Sequence, residues 1–474
     1  MMNLWNSTRR SPTTRASDDV RTDYEVDYDR LLFSTPVRRL ADKTQVFPLE
    51  KNDGVRTRLT HSNEVSNLAR SMGNRLIRLK NDVFGDSEEI RAAAPVILAS
   101  SGLAHDLGNP PFGHQGEAAI GRWFERHKSL FDEYGLANSQ PDKDRFSPVP
   151  IAARGDFLKF EGNAQTIRLV GRLQSTSGPH GLNLTAATLA AMMKYTVPSS
   201  ASRTSSAATK KFGYFTSEVD IFAWVSEETG VTAGTRHPLA WIMEASDDTA
   251  YSVLDVEDAM RKRLVSPEDL LAFLRRRFKT GHFSEILEIL DQKFASADND
   301  GVSLVRAAEI KASYMRTRLI DFLVKGSTTT YLEDRDAILA LTREKPLLES
   351  DSPASDLYKA LKEFARAHAY VSHPVLRSEL EGAVALDKIM SCLWGAITDR
   401  ERFVDLGSRR RSPHSAYAYA LISDSYKWAF ENSTPTLNTP VRYLEMQLLT
   451  DMVSGMTDSF AMEMAAKLEP AIYA

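Results

Sequence analysis

Residues 96–117 read VILASSGLAHDLGNPPFGHQGE. The first thirteen have a helical composition, and Gly108-Asn109-Pro110-Pro111 must end that helix. Glycine suits the left-handed position after a helix, and proline cannot continue its hydrogen-bond ladder. His105 and Asp106 are therefore expected in the last turn of a buried helix. A second helix is predicted to begin around Phe112 to His114 and to run through QGEAAIGRWFERH. The same periodicity extends outward: Val65, Leu68, Met72, Leu76 and Leu79 recur at helical spacing, as do Leu270, Leu271, Phe273, Leu274 and Phe278. Two-residue alternation is scarce, with FGYFTSE at 212–218 one place for a short strand or turn. The expected fold is all-α, mainly helical with few short strands.

The chain has 474 residues, 42% of them hydrophobic and 26% charged, which is ordinary for a globular protein large enough to bury a catalytic cleft. A formal net charge of -4 argues against a surface built throughout for nucleic acid, while leaving room for local basic patches. The single cysteine, Cys392, excludes an intrachain disulfide and a thiolate-rich zinc site, so any metal must be held by His and carboxylates. The polar N-terminus lacks the apolar stretch of a secretory signal, and no apolar run approaches the roughly 18 residues needed to span a bilayer. A cytoplasmic protein without a membrane segment is expected. NSQPDKDRFSPVP at 138–150, PSSASRTSSAATKK at 198–211 and SADNDG at 296–301 read as loops, and no repeat of fixed period is present.

A carboxylate at the negative end of a helix dipole needs a compensating cation, which favours a metal near Asp106. Taken alone, His105-Asp106 also fits a locally hydrogen-bonded helix end. Further ligands are available at His61, in VRTRLTHSNEV, and at Asp247, in WIMEASDDTAYS, where buried acids need a cation or hydrogen bonds. Taken alone, Asp247-Asp248 reads first as a helix N-cap with a solvated neighbour. Two imidazoles and two carboxylates make a mixed site suited to Mn, Mg, Fe, Co, Ni or Zn, without choosing among them. Such an ion polarises a phosphoryl oxygen and acidifies water, which makes a charged phosphate ester the natural substrate class. His114 and Glu117, at i,i+3 on one helix face, can form a proton-transfer dyad or a plain surface pair.

With His61, His105-Asp106 and Asp247 in that order, the pattern resembles the H...HD...D signature of HD-domain metal-dependent phosphohydrolases. The segments KTQVFPLEKNDGVRTRLTHSNEV (43–65), LAHDLGNPPFGHQGEAAI (103–120), FEGNAQTIRLV (160–170), LNLTAATLAAMMKYTVP (182–198), HPLAWIMEASDDTAYSVLDVEDAM (237–260) and SGMTDSFA (454–461) are similar to bacterial deoxyguanosinetriphosphate triphosphohydrolases. The resemblance covers almost the whole chain. It implies a polar segment over 1–26 and one helical unit over 27–474, with a metal-site core at about 55–260 and a C-terminal helical region at about 261–474.

The implied reaction is hydrolysis of dGTP, or of other dNTPs, at the α-phosphorus to a deoxynucleoside and inorganic triphosphate. His61, His105, Asp106 and Asp247 would hold one divalent ion, Mn or Mg first, with Co, Ni, Fe or Zn open. His114 and Glu117 would form the proton-transfer pair, with His114 protonating the departing 5′ oxygen. Tyr251 and Gln45 would meet the sugar. Asn163, Lys194, Tyr195, Lys211 and Arg58 would bind the triphosphate or shape the pocket, neutralising the substrate's roughly four negative charges. Asp255 and Glu379 are candidates for sugar or base contacts. The resemblance also implies a homo-oligomer, a hexamer, and binding of single-stranded DNA, for which RRRFK (275–279) and SRRRS (408–412) are candidate clusters. Two rivals are an HD phosphohydrolase of another nucleotide and a regulatory single-stranded-DNA-binding protein with an inert HD fold.

Overall fold

A computed structural model describes residues 3–13, 16, 18–50, 52–132, 147–174, 178–278, 283–299, 301–403 and 405–468. Among the described residues there are 20 α-helices, and extended pairing is limited to the isolated bridges Arg9–Thr185, Thr44–Thr57 and Arg400–Arg410. Seven helices build or brace the site: α1 (Arg58–Leu79), α2 (Glu88–Ala104), α3 (Gly113–Arg126), α4 (Gly162–Arg168), α5 (Pro238–Arg261), α6 (Pro353–His368) and α7 (His373–Thr398).

Helix α1 starts on a capping box, in which the Thr57 side chain accepts from the Thr60 amide and the Thr60 side chain accepts in return from the Thr57 amide. Of its predicted apolar stripe, Val65, Met72 and Leu76 are fully buried, whereas Leu79 is 55% exposed where the helix ends. Burying a side chain of this size is worth about 1.5–3 kcal/mol, several times any single helix-propensity difference, so the stripe decides how α1 lies. It packs along α2, with Met72 and Leu76 meeting Ile97 and Leu98 in a cluster that Leu239, Trp241 and Ile242 of α5 complete. Pro238 occupies the first turn of α5, where its missing N–H costs nothing. A second cluster joins Leu103, Leu107, Phe112, Ile120 and Trp123 to Leu386, Ile389 and Met390 of α7. The turn between α2 and α3 is thus held from both sides.

The 212–218 segment forms turns and a short 3-10 helix over Thr216–Glu218, resolving its ambiguity towards the turn. The 198–211 segment is a loop with one short 3-10 helix, and most of 138–150 lies outside the described residues. SADNDG differs from expectation, because the Ser284–Asn299 helix runs through its first four residues. Phe294 and Ala297 are buried three residues apart, and that burial outweighs the local Ser and Asp content. No helix among the described residues is long and apolar enough to cross a membrane.

Candidate metal centre and proton-transfer pair

Helix α2 ends at Ala104, with His105 as its C-cap in helical conformation, so His105 and Asp106 fall at and just past the last turn. Gly108 does not take the left-handed conformation expected of it; the left-handed residues of this turn are Phe112 (φ 62°) and Gly113 (φ 57°). Gly108 is needed for another reason. A Cβ there would overlap the Gly162 carbonyl oxygen and the Thr166 amide nitrogen, because α4 passes directly against it. The Gly108 amide donates to Thr166 Oγ1 (2.9 Å), fixing that crossing.

The turn brings three ligand candidates together. His61 enters from the first turn of α1, His105 from the end of α2, and Asp247 from the interior of α5, which removes the N-cap reading of Asp247-Asp248. Asp247 Oδ1 lies 3.2 Å from His61 Nε2 and 3.5 Å from His105 Nε2, and one ligand atom from each of the three falls within 4.8 Å of the others. His105 Nδ1 donates to the Gly102 carbonyl (2.7 Å), which fixes the tautomer and leaves Nε2 with its lone pair towards the centre. His105 Nε2 is buried without a hydrogen-bond partner, as a nitrogen meant for a ligand would be.

Asp106 stands beside this triad, with Oδ2 3.5 Å from His105 Nε2. It pairs with Arg58 Nη1 and accepts from Asn109 Nδ2 (2.5 Å). The cation that the helix end demanded is therefore supplied within the chain, by Arg58. Burial pushes the Asp106 carboxyl up, but Arg58 and His105 outweigh it and bring it to about 2. Burial likewise opposes ionisation of Asp247, yet His105 and His61 hold it well below the usual carboxylate range. On His105 burial favours the neutral ring, and Asp106 and Asp247 prevail, lifting it to about 9. The two carboxylates are thus balanced by Arg58 on one side and, on the other, by a proton on His105 or a metal cation in its place. The donor set fits a divalent ion.

Beyond the turn, α3 begins at Gly113, as its sequence predicts, and presents the candidate proton-transfer pair. His114 Nδ1 and Glu117 Oε2 are 2.9 Å apart, with His114 80% exposed and Glu117 10%. Glu117 Oε1 accepts from the Gly162 amide (2.8 Å), so one carboxylate joins α3 to α4. The hydrogen bond to Glu117 and the charge of that carboxylate raise the His114 pKa. On Glu117 burial acts upward, and the bond from His114 and the charge of Lys211 hold it below its ordinary value. The pair is therefore biased towards imidazolium and carboxylate.

No family model matches the chain. Two similar proteins, from Listeria monocytogenes serovar 1/2a and Listeria innocua serovar 6a, are each called a deoxyguanosinetriphosphate triphosphohydrolase-like protein. Each is 34% identical over 468 residues, covering 97% of this chain and 97% of its own length. The chain belongs to the deoxyguanosinetriphosphate triphosphohydrolase-like family.

Within the framework of that family, six of the remaining candidates form three groups, and Gln45 and Glu379 stand apart from them. Lys211 pairs with Glu161 Oε2 (2.6 Å), whose other oxygen accepts from Asn163 Nδ2 (2.6 Å), placing both beside the Glu117–Gly162 contact. Lys194 lies 3.4 Å from Glu244, which also binds Arg236 (2.5 Å), and Arg236 covers the buried Tyr195 ring at 5.7 Å. Tyr251 stacks on Tyr370, ring centroids 5.9 Å apart. Asp255 is buried behind that pair and accepts from the Tyr370 hydroxyl (2.7 Å), and burial raises its pKa well above the carboxylate range. Gln45 presents a buried Oε1 without a partner. Glu379, on α7, makes none of the hydrogen bonds or ion pairs that join the others. Of the basic clusters, Arg275 pairs with Asp291, while Arg410 is buried over the Tyr419 ring at 3.4 Å and serves the fold rather than a solvated face.

Several residues that sequence reasoning passed over hold the turn in place. Lys43 Nζ donates to the Asn109 carbonyl (2.5 Å) and the Ser454 carbonyl (2.7 Å). Asp458 accepts from the Thr44 amide (3.0 Å) and the Phe112 amide (3.0 Å). Three family segments far apart in the chain are stitched together at one turn. Asp248 accepts from Tyr358 of α6 (2.8 Å), which steadies α5 next to Asp247.

Proposed function

We propose that the protein hydrolyses dGTP, and other dNTPs to an extent set by base contacts, at the α-phosphorus to give a deoxynucleoside and inorganic triphosphate. The observation that carries this reading is the pairing, across one turn, of the His61–His105–Asp247 cluster, whose histidines are buried, with a His114–Glu117 dyad whose imidazole is exposed. When bound, a divalent ion would supply charge stabilisation of the phosphoryl oxygens and acidify water. His61, His105, Asp106 and Asp247 would hold it.

On this reading the chain's own groups do the rest. His114, kept protonated by Glu117, gives its proton to the 5′ oxygen as the ester bond breaks. Lys211, Lys194, Asn163 and Tyr195 meet the phosphate chain, and Arg58 keeps the Asp106 carboxylate ionised. Tyr251, backed by Tyr370, and Gln45 lie against the sugar, where lack of room for a 2′-hydroxyl selects deoxyribose. A homo-oligomer and single-stranded DNA binding belong to the same proposal.

The test is an assay of all four dNTPs with Mg, Mn, Co and Ni. Equimolar triphosphate and deoxynucleoside, with dGTP preferred, is the expected result. Release of orthophosphate or of a linear dinucleotide instead assigns the site to another HD phosphohydrolase reaction, and no turnover with any metal favours the regulatory reading.

A further inference from the structure

On the solvent side of the dyad lies a cleft of about 910 Å3, bordered by His114 and Glu117, by Arg122 of α3, by Lys159, and by Arg203, Lys210 and Lys211 of the 198–211 loop. Its volume is that of a small-ligand site. Lys211 is matched by Glu161. Arg122, Lys159, Arg203 and Lys210 are exposed and have no carboxylate partner among the described residues. The acids on the walls are already engaged, Glu117 with His114, Glu161 with Lys211 and Glu125 with Lys128. Four unmatched cations around one concavity call for a polyanion.

The lining also indicates which polyanion. Single-stranded nucleic acid is held by exposed aromatic faces on which bases stack. The aromatic side chains at this cleft, Phe160 and Phe212, are 4% and 2% exposed and point into the core. The walls therefore offer charge without stacking surface, which suits a bare phosphate chain. The cleft borders the dyad, beside which a highly charged product would be released.

We propose that this cleft is an anion subsite for free inorganic triphosphate, held by Arg122, Lys159, Arg203 and Lys210 outside the reaction centre, so that the enzyme retains its product and is inhibited by it. Identification of the ligand as a reaction product rests on the function proposed above; the subsite itself rests on the cleft.

The decisive experiment is calorimetric titration of the full-length protein with inorganic triphosphate, in EDTA and at low salt, comparing wild type with an Arg122→Gln/Lys210→Gln double variant. A Lys359→Gln variant, altered in a separate groove, is the control. The double variant is expected to bind triphosphate about tenfold more weakly and the control like wild type. Equal affinity in wild type and double variant overturns the proposal, as does a single-stranded oligonucleotide that binds wild type, loses affinity in the double variant and finds no competition from triphosphate. Loss of triphosphate affinity in a protein that turns over no dNTP keeps the subsite and sinks the proposed function. Turnover of dNTPs with triphosphate affinity unaffected by the double substitution does the reverse.

Discussion

The two halves of the site use the same residue types in opposite surroundings. In the metal half the side chains of His61 and His105 are 1% and 5% exposed, and the half-buried Asp106 and Asp247 each face a buried cationic or imidazole partner. In the acid half His114 is 80% exposed and depends on a single partner, Glu117. Burial makes the first half rigid and mutually dependent, because removing one member strands the others unpaired at low dielectric. Exposure makes the second half separable: His114 stands in water, and when it is removed Glu117 still accepts from the Gly162 amide.

The largest effect should come from breaking the buried half. His105→Ala removes a candidate ligand and leaves Asp106 and Asp247 with one cation fewer. Bound metal, measured by elemental analysis after dialysis, and turnover should both fall to background. An enzyme that keeps its metal without His105 contradicts the assignment. His114→Ala should behave differently, with metal content and melting temperature near those of wild type and turnover lower by roughly 10²-fold or more. Unchanged turnover would remove His114 from the chemistry.

This contrast also marks what the sequence made legible. His105-Asp106 and His114-Glu117 stand in one stretch whose helix-turn-helix pattern is local, and His61 stands four residues before Val65, the first residue of the apolar stripe that predicts α1. The reason for Gly108 was misread, because nothing within the stretch signals that α4 will cross it at backbone distance. For Arg58 the sequence offers a place at the triphosphate or in shaping the pocket, and its pairing with Asp106 spans 48 residues and is visible only once α1 and α2 are packed. The clamps from Lys43 to Ser454 and from Asp458 to Phe112 span 411 and 346 residues, and lone Lys and Asp residues carry no periodicity that would announce them.

The joint between the halves offers a smaller effect that moves both. Gly162 sits where a Cβ would press on Asn109 Oδ1 and on Glu117 Oε1. Asn109 serves the metal half through Asp106, and Glu117 orients the acid half. Gly162→Ala should therefore destabilise the fold by about 1–3 kcal/mol, the usual cost of overpacking. It should also lower turnover by roughly tenfold through misplacement of both groups. Thermal unfolding and steady-state kinetics on one preparation test this, and full activity would mean that the halves are not mechanically joined through α4.

The smallest effect, and the most specific, concerns the proton on His114. Glu117 raises the His114 pKa, and the imidazolium is the form that can donate. Activity that depends on this acid is therefore present below the raised pKa and lost as pH rises through it, giving the alkaline limb of the turnover profile. Glu117→Gln keeps a hydrogen-bonding side chain but removes the negative charge, so the imidazolium is less favoured and the limb should move to lower pH. Turnover on the acid plateau should drop modestly, by roughly tenfold or less, because an amide still orients the ring. Metal content should stay unchanged, since Glu117 touches Gly162 and His114 and none of the ligand candidates. A limb that moves to higher pH, or that does not move while the plateau falls, would show that Glu117 positions His114 without holding its proton, and would leave the donor to be sought elsewhere on the cleft.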